Sequence, residues 1–410
     1  MEDVVNVVLL GATYPPEMME YTRGLAQVGA RVYGVGDTPR QALPPLAKRY
    51  LHDYLQVPKL MDEQDVIQRV LQWVKGLKID RVESLWEALV LPAAALRELL
   101  NVPGMSRDEI LKFRDKQIMK DTVKAAGLRV PHSRRIKTVA DLEAAAKEMG
   151  YPIIVKPIDG AGSANTYRVN SDEQLEELLP ALRDVPEMIC EEFIDGEEFT
   201  FDTLCIDGEI VFMSVMQYFP RPLLQRTLEW VSPMQITVRD MHDPRIAGGI
   251  KLGKEVIKAL GMKTGFTHME WYLTSEGEAI FGEIGARPGG ALVVDQMNYT
   301  CDVDLFKEWA RVVCHGHFGS PTTRKYNVAA IFKRAQGQGN IAKIEGLDEY
   351  LVRHRPWICV NRISKIGTPR RNWRMTLLSD GYLIVRHPEW DRAHQLATEA
   401  TNNIHLYAAY

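Results

Sequence analysis

Two carboxylates and an arginine carry the strongest chemical signal in the chain. Glu270 lies in His268-Met269-Glu270-Trp271, and Glu283 lies in Phe281-Gly282-Glu283-Ile284-Gly285-Ala286-Arg287-Pro288-Gly289-Gly290. Both runs are short and apolar, and Ser275-Glu276-Gly277 lies between them. Such runs around a turn predict a β-hairpin, which offers each carboxylate from a rigid strand. Two hard oxygen donors beside an arginine suit a magnesium–nucleotide site: carboxylates hold the ion and a guanidinium neutralises phosphate oxygens. An acidic surface hairpin has the same composition, so the motif alone leaves both readings open.

Other residues bear on the choice. Lys156 ends the apolar strand Ile153-Ile154-Val155, and Asp159-Gly160-Ala161-Gly162-Ser163-Ala164-Asn165 follows closely. Glycines allow close backbone approach, and successive N–H groups can cradle phosphate; a surface turn with a solvated lysine is the alternative. Lys116 stands in Arg114-Asp115-Lys116 on a basic amphipathic helix expected from Arg107 to Ala126, where a solvated helix face is the plain reading. Cys190-Glu191-Glu192-Phe193-Ile194-Asp195-Gly196-Glu197-Glu198-Phe199 reads as strand, turn and strand with four glutamates. Backbone at such a turn can hydrogen-bond a purine edge while a carboxylate beyond it accepts from ribose hydroxyls. Four charges that keep a hairpin soluble are the competing account.

The elements that must position these groups alternate. Val4 to Leu10, Glu17 to Gln27 and Arg31 to Val35 predict a β-α-β opening of a parallel sheet, continued by a helix at Glu63 to Lys75, a strand at Arg81 to Leu85 and a helix at Leu91 to Leu100. Gly11-Ala12-Thr13-Tyr14-Pro15-Pro16 after the first strand lacks G-x-G-x-x-G, which argues against a nicotinamide cofactor. Asn101-Val102-Pro103-Gly104 marks a boundary. Helices are expected at Val139 to Met149, Asp172 to Leu182, Ile246 to Leu260 and Asp304 to Cys314, with strands at Met188 to Phe193, Phe199 to Ile206 and Ile210 to Met216. Tyr218 to His242 has three prolines and no clear period, and from Ser320 the pattern turns strand-rich.

Taken in order, a lysine, a lysine with a glycine loop, an E-E-F-I-x-G-E-E hairpin and two carboxylates before an arginine resemble the ATP-grasp superfamily over Ser106 to Phe318. Arg114-Asp115-Lys116, Lys120, Ala126-Gly127-Leu128 and Pro131 look like its usual opening segment. The resemblance implies an α/β fold: a Rossmann-like domain at 1–105, a two-lobed ATP-grasp module at 106–318 with its lid at roughly 130–190, and a mixed α+β domain at 319–410. It implies that Lys116 and Lys156 contact nucleotide phosphates and that Gly160, Gly162 and Ser163 close over them. Glu191 matches the acceptor for the adenine amino group, Glu192 and Phe193 the backbone pair reading the adenine edge, and Glu198 the ribose carboxylate. Glu270 and Glu283 match metal ligands for Mg²⁺, with Mn²⁺ as the alternative ion. Arg287, with Lys156, matches the stabiliser of the transferring phosphoryl group. Many members carry asparagine two residues after the second glutamate, where this chain has Gly285; water then completes the metal shell or the ion binds more weakly.

The spacing Glu283, Arg287, Gly289, Gly290 looks most like the carboxylate–amine ligases of the L-amino acid ligase and carnosine synthase type. That branch implies ATP-dependent activation of a small carboxylate as an acyl phosphate, capture by an amine, and release of ADP and phosphate. Amino acids are among the substrates it implies. His268 alternates with Glu270 and shares its sheet face. There it orients the substrate carboxylate, acts as base for the amine, or is satisfied by neighbouring carboxylates. Arg221, Arg226, Trp230 and Met234 fall where such ligases shape the acceptor pocket; an ordered surface excursion is the alternative. A carboxylase-like enzyme, a purine-biosynthetic enzyme and a regulatory nucleotide-binding module are the competing readings.

Composition fits this frame. The chain has 410 residues, 46% hydrophobic and 25% charged, with net charge −4. That charge makes no case for nucleic acid or an anionic membrane as partner. The tail is locally basic, with Arg353, Arg355, Arg362, Lys365, Arg370, Arg371 and Arg374 close in sequence and Trp357 and Trp373 among them. A solvated face, a subunit contact or an acidic substrate accounts for it more simply than nucleic acid does. Five scattered cysteines without C-x-x-C spacing favour free thiols in a reducing cytoplasm over disulfides or zinc. No signal peptide or membrane-length apolar run is evident. Many relatives are dimers, so the resemblance leaves a homodimer open.

Overall fold

The computed structural model describes residues 4–159, 165–182 and 187–410. Val7 to Leu10 are wholly buried on both faces of their strand, as in a parallel sheet covered by helices. Asn6–Leu10 pairs in parallel with Arg31–Gly36 on one side and with Arg81–Glu83 on the other. Asp53–Gln56 adds a fourth strand beyond Arg31–Gly36. The sequence does not mark that strand, because Asp-Tyr-Leu-Gln is too short and polar to show a period.

The single helix expected from Arg107 to Ala126 is two helices, Arg107–Leu111 and Lys116–Ala125. Asp115 breaks the run. It adopts an extended backbone, and its carboxylate accepts from the backbone N–H of Gln117 and Ile118, both at 3.0 Å. Capping overrides the continuing amphipathic pattern, and the new helix begins at Lys116.

An antiparallel sheet of four strands follows, in the order Ser133–Ile136, Met188–Glu192, Ile153–Pro157 and Tyr167–Val169. Helices Val139–Met149 and Asp172–Leu182 accompany it. The largest sheet has eight strands: Ala279–Gly285, Gly265–Leu273, Glu197–Ile206, Glu209–Phe219, Met234–Thr237, Asn327–Phe332, Tyr382–His387 and Ile358–Asn361. It runs across the boundary expected near 318. Helix Pro244–Leu260 lies against its strands at unusually close range. A Cβ at Gly249 would stand 2.1 Å from Trp271, and one at Gly253 would stand 2.2 Å from Phe201. Trp271 in turn stacks on Phe199 at 4.8 Å. These contacts fix the strand that bears Glu270.

The segment from Tyr218 to His242 is more regular than its prolines suggest. It holds the end of Glu209–Phe219, a short helix Pro222–Thr227 and the strand Met234–Thr237. Met234 pairs with Ile331 and is buried in the core shared with Leu383 and Leu406, away from the acceptor pocket expected for it. A three-stranded sheet of Gln336–Gly337, His405–Ala409 and Asn340–Glu345 completes the fold. All five cysteines are free thiols, four of them buried. Among the described residues no helix is long and apolar enough to cross a membrane.

Candidate nucleotide site

Glu270 and Glu283 face each other directly across the predicted hairpin, as register partners on Gly265–Leu273 and Ala279–Gly285. Like charges opposite one another in a sheet repel, so the pair must be compensated. Lys156 Nζ stands 3.5 Å and Lys116 Nζ 3.7 Å from Glu283 Oε2. One lysine comes from an inner strand of the four-stranded sheet and the other from the first turn of its helix. The backbone joins them too: Lys116 N donates to Ile158 O at 3.3 Å. Burial raises the Glu283 carboxyl, but Lys116, Lys156, Lys120 and Arg287 outweigh it and hold the group well below the usual carboxylate range. Burial likewise works against charge on Lys156, yet Glu191 and Glu283 keep its ammonium above the ordinary value.

Lys120 joins this cluster from one helical turn beyond Lys116 and is 1% exposed. Its Nζ donates to Gly282 O at 3.0 Å and lies 2.8 Å from Glu191 Oε1. Lys156 Nζ takes the other oxygen of Glu191 at 3.0 Å. Burial nonetheless pushes the Lys120 ammonium down. The sequence gives Lys120 no role beyond the opening segment, although its i+4 spacing from Lys116 places both on one helix face.

Successive residues of a strand point to opposite faces, and Glu191 and Glu192 do so. Glu191 turns toward the lysines. Glu192 pairs with Arg129 Nη2 at 2.9 Å and accepts from His132 N at 3.0 Å. Phe193 lies between two guanidinium groups, Arg168 at 4.1 Å and Arg221 at 4.9 Å from its ring centre. Glu198 is buried, with Arg221 Nε 3.5 Å away. Burial and then the charge of Glu270 push its carboxyl up to about 8. One cavity is lined by Lys116, Lys156, Glu191, Phe193, Glu198 and Arg221 together with Glu270 and Glu283. Gly160, Gly162 and Ser163 lie outside the described residues.

Arg287 reaches the site through an unexpected partner. Its Nε donates to Glu87 Oε2 at 2.5 Å, and Arg114 Nη1 donates to the other oxygen of Glu87 at 2.9 Å. Glu87 belongs to the first, parallel-sheet region, 200 positions before Arg287. No local pattern at Trp86-Glu87-Ala88 marks it. A Cβ at Gly285 would stand 3.1 Å from Glu87 Oε2, so this carboxylate crowds the space that a side chain at position 285 would take.

His268 and Glu270 share a face as expected, with His268 Nε2 3.7 Å from Glu270 Oε1. His268 Nδ1 lies 2.6 Å from Asp202 Oδ1, and Thr200 Oγ1 donates to Asp202 Oδ2 at 2.5 Å. Burial lowers the imidazole, but the Asp202 charge prevails and raises it to about 9. Asp202 is a further site residue, and its register opposite His268 on Glu197–Ile206 is the signal that could have found it.

Comparison with known proteins agrees with this geometry. A family model described as the ATP-grasp domain matches residues 149–295. That stretch contains Lys156, the Glu191 to Glu198 strand–turn–strand, His268, Glu270, Glu283 and Arg287. The chain therefore contains an ATP-grasp domain over these residues. The L-arginine-specific L-amino acid ligase of Bacillus subtilis is 30% identical over 275 residues, 65% of this chain and 66% of that protein. The alanine–anticapsin ligase of Bacillus subtilis (strain 168) is 24% identical over 276 residues, 62% of this chain and 58% of that protein. The chain thus spans somewhat less than two thirds of the length of these curated relatives. Over its full length it superposes on the crystal structure of an L-amino acid ligase from Bacillus licheniformis, with a TM-score of 0.80 at 22% identity and complete coverage of both chains. Residues outside the matched stretch reach these side chains: Lys116 precedes it, and Glu87 comes from the parallel-sheet region.

Among the described residues no three His, Cys, Asp or Glu side chains converge as a metal-binding group. Two carboxylates face each other, and Gly285 adds no third donor. Such a pair fits Mg²⁺, which commonly takes one or two carboxylates and fills its remaining positions with water and phosphate oxygens.

Proposed function

We propose that the protein is an ATP-dependent carboxylate–amine ligase that joins two small molecules, amino acids among them, and releases ADP and phosphate. The observation that carries this reading is the convergence of Lys116, Lys156 and Arg287 on the facing pair Glu270 and Glu283. Two lysines and two carboxylates lining one cavity, with Arg287 beside Lys116 and Glu283 in the adjoining one, suit a triphosphate and its metal. The names of the relatives favour amino acid substrates.

On this reading Lys116 and Lys156 bind the phosphates, and Lys156 and Arg287 balance the charge that builds on the transferring phosphoryl group. Glu270 and Glu283 hold Mg²⁺, which supplies neutralisation of phosphate charge when bound. The substrate carboxylate attacks the γ-phosphorus; ADP leaves and an acyl phosphate forms. An amine then attacks the acyl carbon, phosphate leaves, and the nitrogen loses a proton to give the amide. His268 is poorly suited to take that proton. Its pKa of about 9 keeps it charged near neutral pH, and Asp202 occupies Nδ1. An imidazolium beside Glu270 suits orientation of the substrate carboxylate. Glu191, tied to Lys120 and Lys156, fixes the phosphate-binding lysine. Glu192 and Phe193 present their backbone to the adenine edge, and Glu198 faces the ribose. The free thiols fit a cytoplasmic setting.

The test is phosphate and ADP release with Mg-ATP against pools of amino acids, other carboxylates and amines, with mass spectrometry of each pool. Release confined to one pool, with a product equal to two components less water, is the expected result. AMP in place of ADP would overturn the acyl-phosphate route. Nucleotide binding without turnover in any pool would favour a regulatory module.

A further inference from the structure

Arg221 was expected in the acceptor pocket, yet it lines the nucleotide cavity. It follows the strand Glu209–Phe219 and precedes the helix Pro222–Thr227, with its side chain 17% exposed. Nη2 donates to the carbonyl of Ile194 at 3.0 Å, at the turn of the Glu191 to Glu198 segment. Nη1 lies 3.9 Å from the exposed Asp195 carboxylate. The guanidinium packs on Phe193 at 4.9 Å and Tyr272 at 5.4 Å. That leaves Nε, which is buried and has no hydrogen-bond partner among the described residues. Glu198 Oε2 is the nearest acceptor, at 3.5 Å.

A buried N–H without a partner is uncommon and costly, and each case calls for an explanation. Here a donor and a carboxylate stand 3.5 Å apart without a hydrogen bond between them, at the wall of a cavity. A group that both accepts and donates satisfies the two together, and a hydroxyl is such a group. A hydroxyl oxygen placed at ordinary hydrogen-bond distance from both atoms forms a closed triangle with the 3.5 Å separation.

We infer that Arg221 and Glu198 form a two-part clamp for a ribose hydroxyl of the nucleotide, with Arg221 Nε donating to the hydroxyl oxygen and Glu198 accepting its proton. This rests on the nucleotide reading of the cavity. It moves Arg221 from the acceptor pocket to the nucleotide and ties ribose binding to the turn that faces the adenine, since the same guanidinium holds Ile194.

The test is calorimetric binding, with Mg²⁺ present throughout, of ADP, 2′-deoxy-ADP and 3′-deoxy-ADP. The proteins are the wild type, Arg221→Lys and Arg221→Gln, with melting curves to check that each is folded. The wild type should bind ADP about tenfold more tightly than at least one deoxy analogue, the scale of one hydrogen bond to a charged group. The folded variants should bind ADP about tenfold more weakly and lose that preference. Equal binding of all three nucleotides by the wild type would overturn the clamp, and that result needs no variant. A preference retained in the folded variants would also overturn it, assigning Arg221 to the Ile194 turn alone. Failure of the wild type to bind ADP would instead bring down the nucleotide reading itself.

Discussion

The surroundings of Glu283 and Glu198 treat a glutamate in opposite ways. Glu283 has Lys116 and Lys156 within 4 Å and Lys120 and Arg287 nearby, and its carboxyl is held well below the usual range despite burial. Glu198 has one ion-pair partner among the described residues, Arg221 at 3.5 Å, with Lys156 acting from farther off, and burial with Glu270 pushes it up to about 8. The residue type is the same, so the difference comes from how many cations the fold delivers. A carboxylate fixed in its charged state suits an ion. One poised near neutrality suits a hydroxyl, which it can serve as acceptor.

The sharpest way to break this contrast is Glu283→Gln. If Glu283 holds the metal, turnover with Mg-ATP should fall about a thousandfold or more, with the melting temperature little changed. Near-normal turnover in a folded protein would remove the metal assignment. Next in size is Lys120→Met. Removing a buried cation leaves Glu191 with one lysine fewer, and loss of a buried partner costs about 3 kcal/mol. Denaturant unfolding should show that loss. A change under about 0.5 kcal/mol, the range typical of exposed sites, would mean that Lys120 adds little to the charge balance.

How far this contrast could be read from sequence differs between its two sides. The surroundings of Glu283 are largely legible, because Glu270, Glu283 and Lys156 sit on strands whose alternation and turns show locally. Lys116 was marked, but the helix carrying it was drawn too long, because the cap at Asp115 competes with an amphipathic pattern running through it. The surroundings of Glu198 are half legible. Glu198 follows a recognisable turn, whereas Arg221 sits after a strand whose path depends on pairing with Met234–Thr237. That strand pairs in turn with Asn327–Phe332, about ninety positions along the chain. Such pairing leaves no local period, which is also why Met234 was assigned to a pocket and is found in the core. Glu87 was illegible for the same reason: only the folded chain brings it to Arg287.

Glu87 allows a smaller test near Glu283. Glu87→Gln removes the charge that aims Arg287 while keeping a polar side chain of similar size. Turnover should fall about ten- to a hundredfold, as expected for a misplaced transition-state group. ADP binding should change little, because Lys116 and Lys156 remain. An equal loss of ADP affinity would instead make Glu87 part of nucleotide binding.

The smallest expected effect returns to Glu198 and reads its charge balance through pH. Its folded pKa of about 8 lies above the ordinary 4.5, so between those values the folded state holds the proton more tightly than the unfolded chain. Stability should therefore fall as pH rises through that window. Glu283 has the opposite sign: its contribution is present above the ordinary carboxylate range and is lost as pH falls toward its depressed value. His268, raised from 6.5 to about 9, adds a decline of the same sign as Glu198 but at higher pH. The variant Glu198→Gln separates the two. It should flatten the part of the stability curve below about pH 8 and leave the part toward pH 9 in place. Denaturant unfolding of the wild type and the variant from pH 5 to 9, without nucleotide, measures this directly. If the two curves stay parallel, Glu198 is charged throughout, and the surroundings of Glu198 and Glu283 are electrostatically alike.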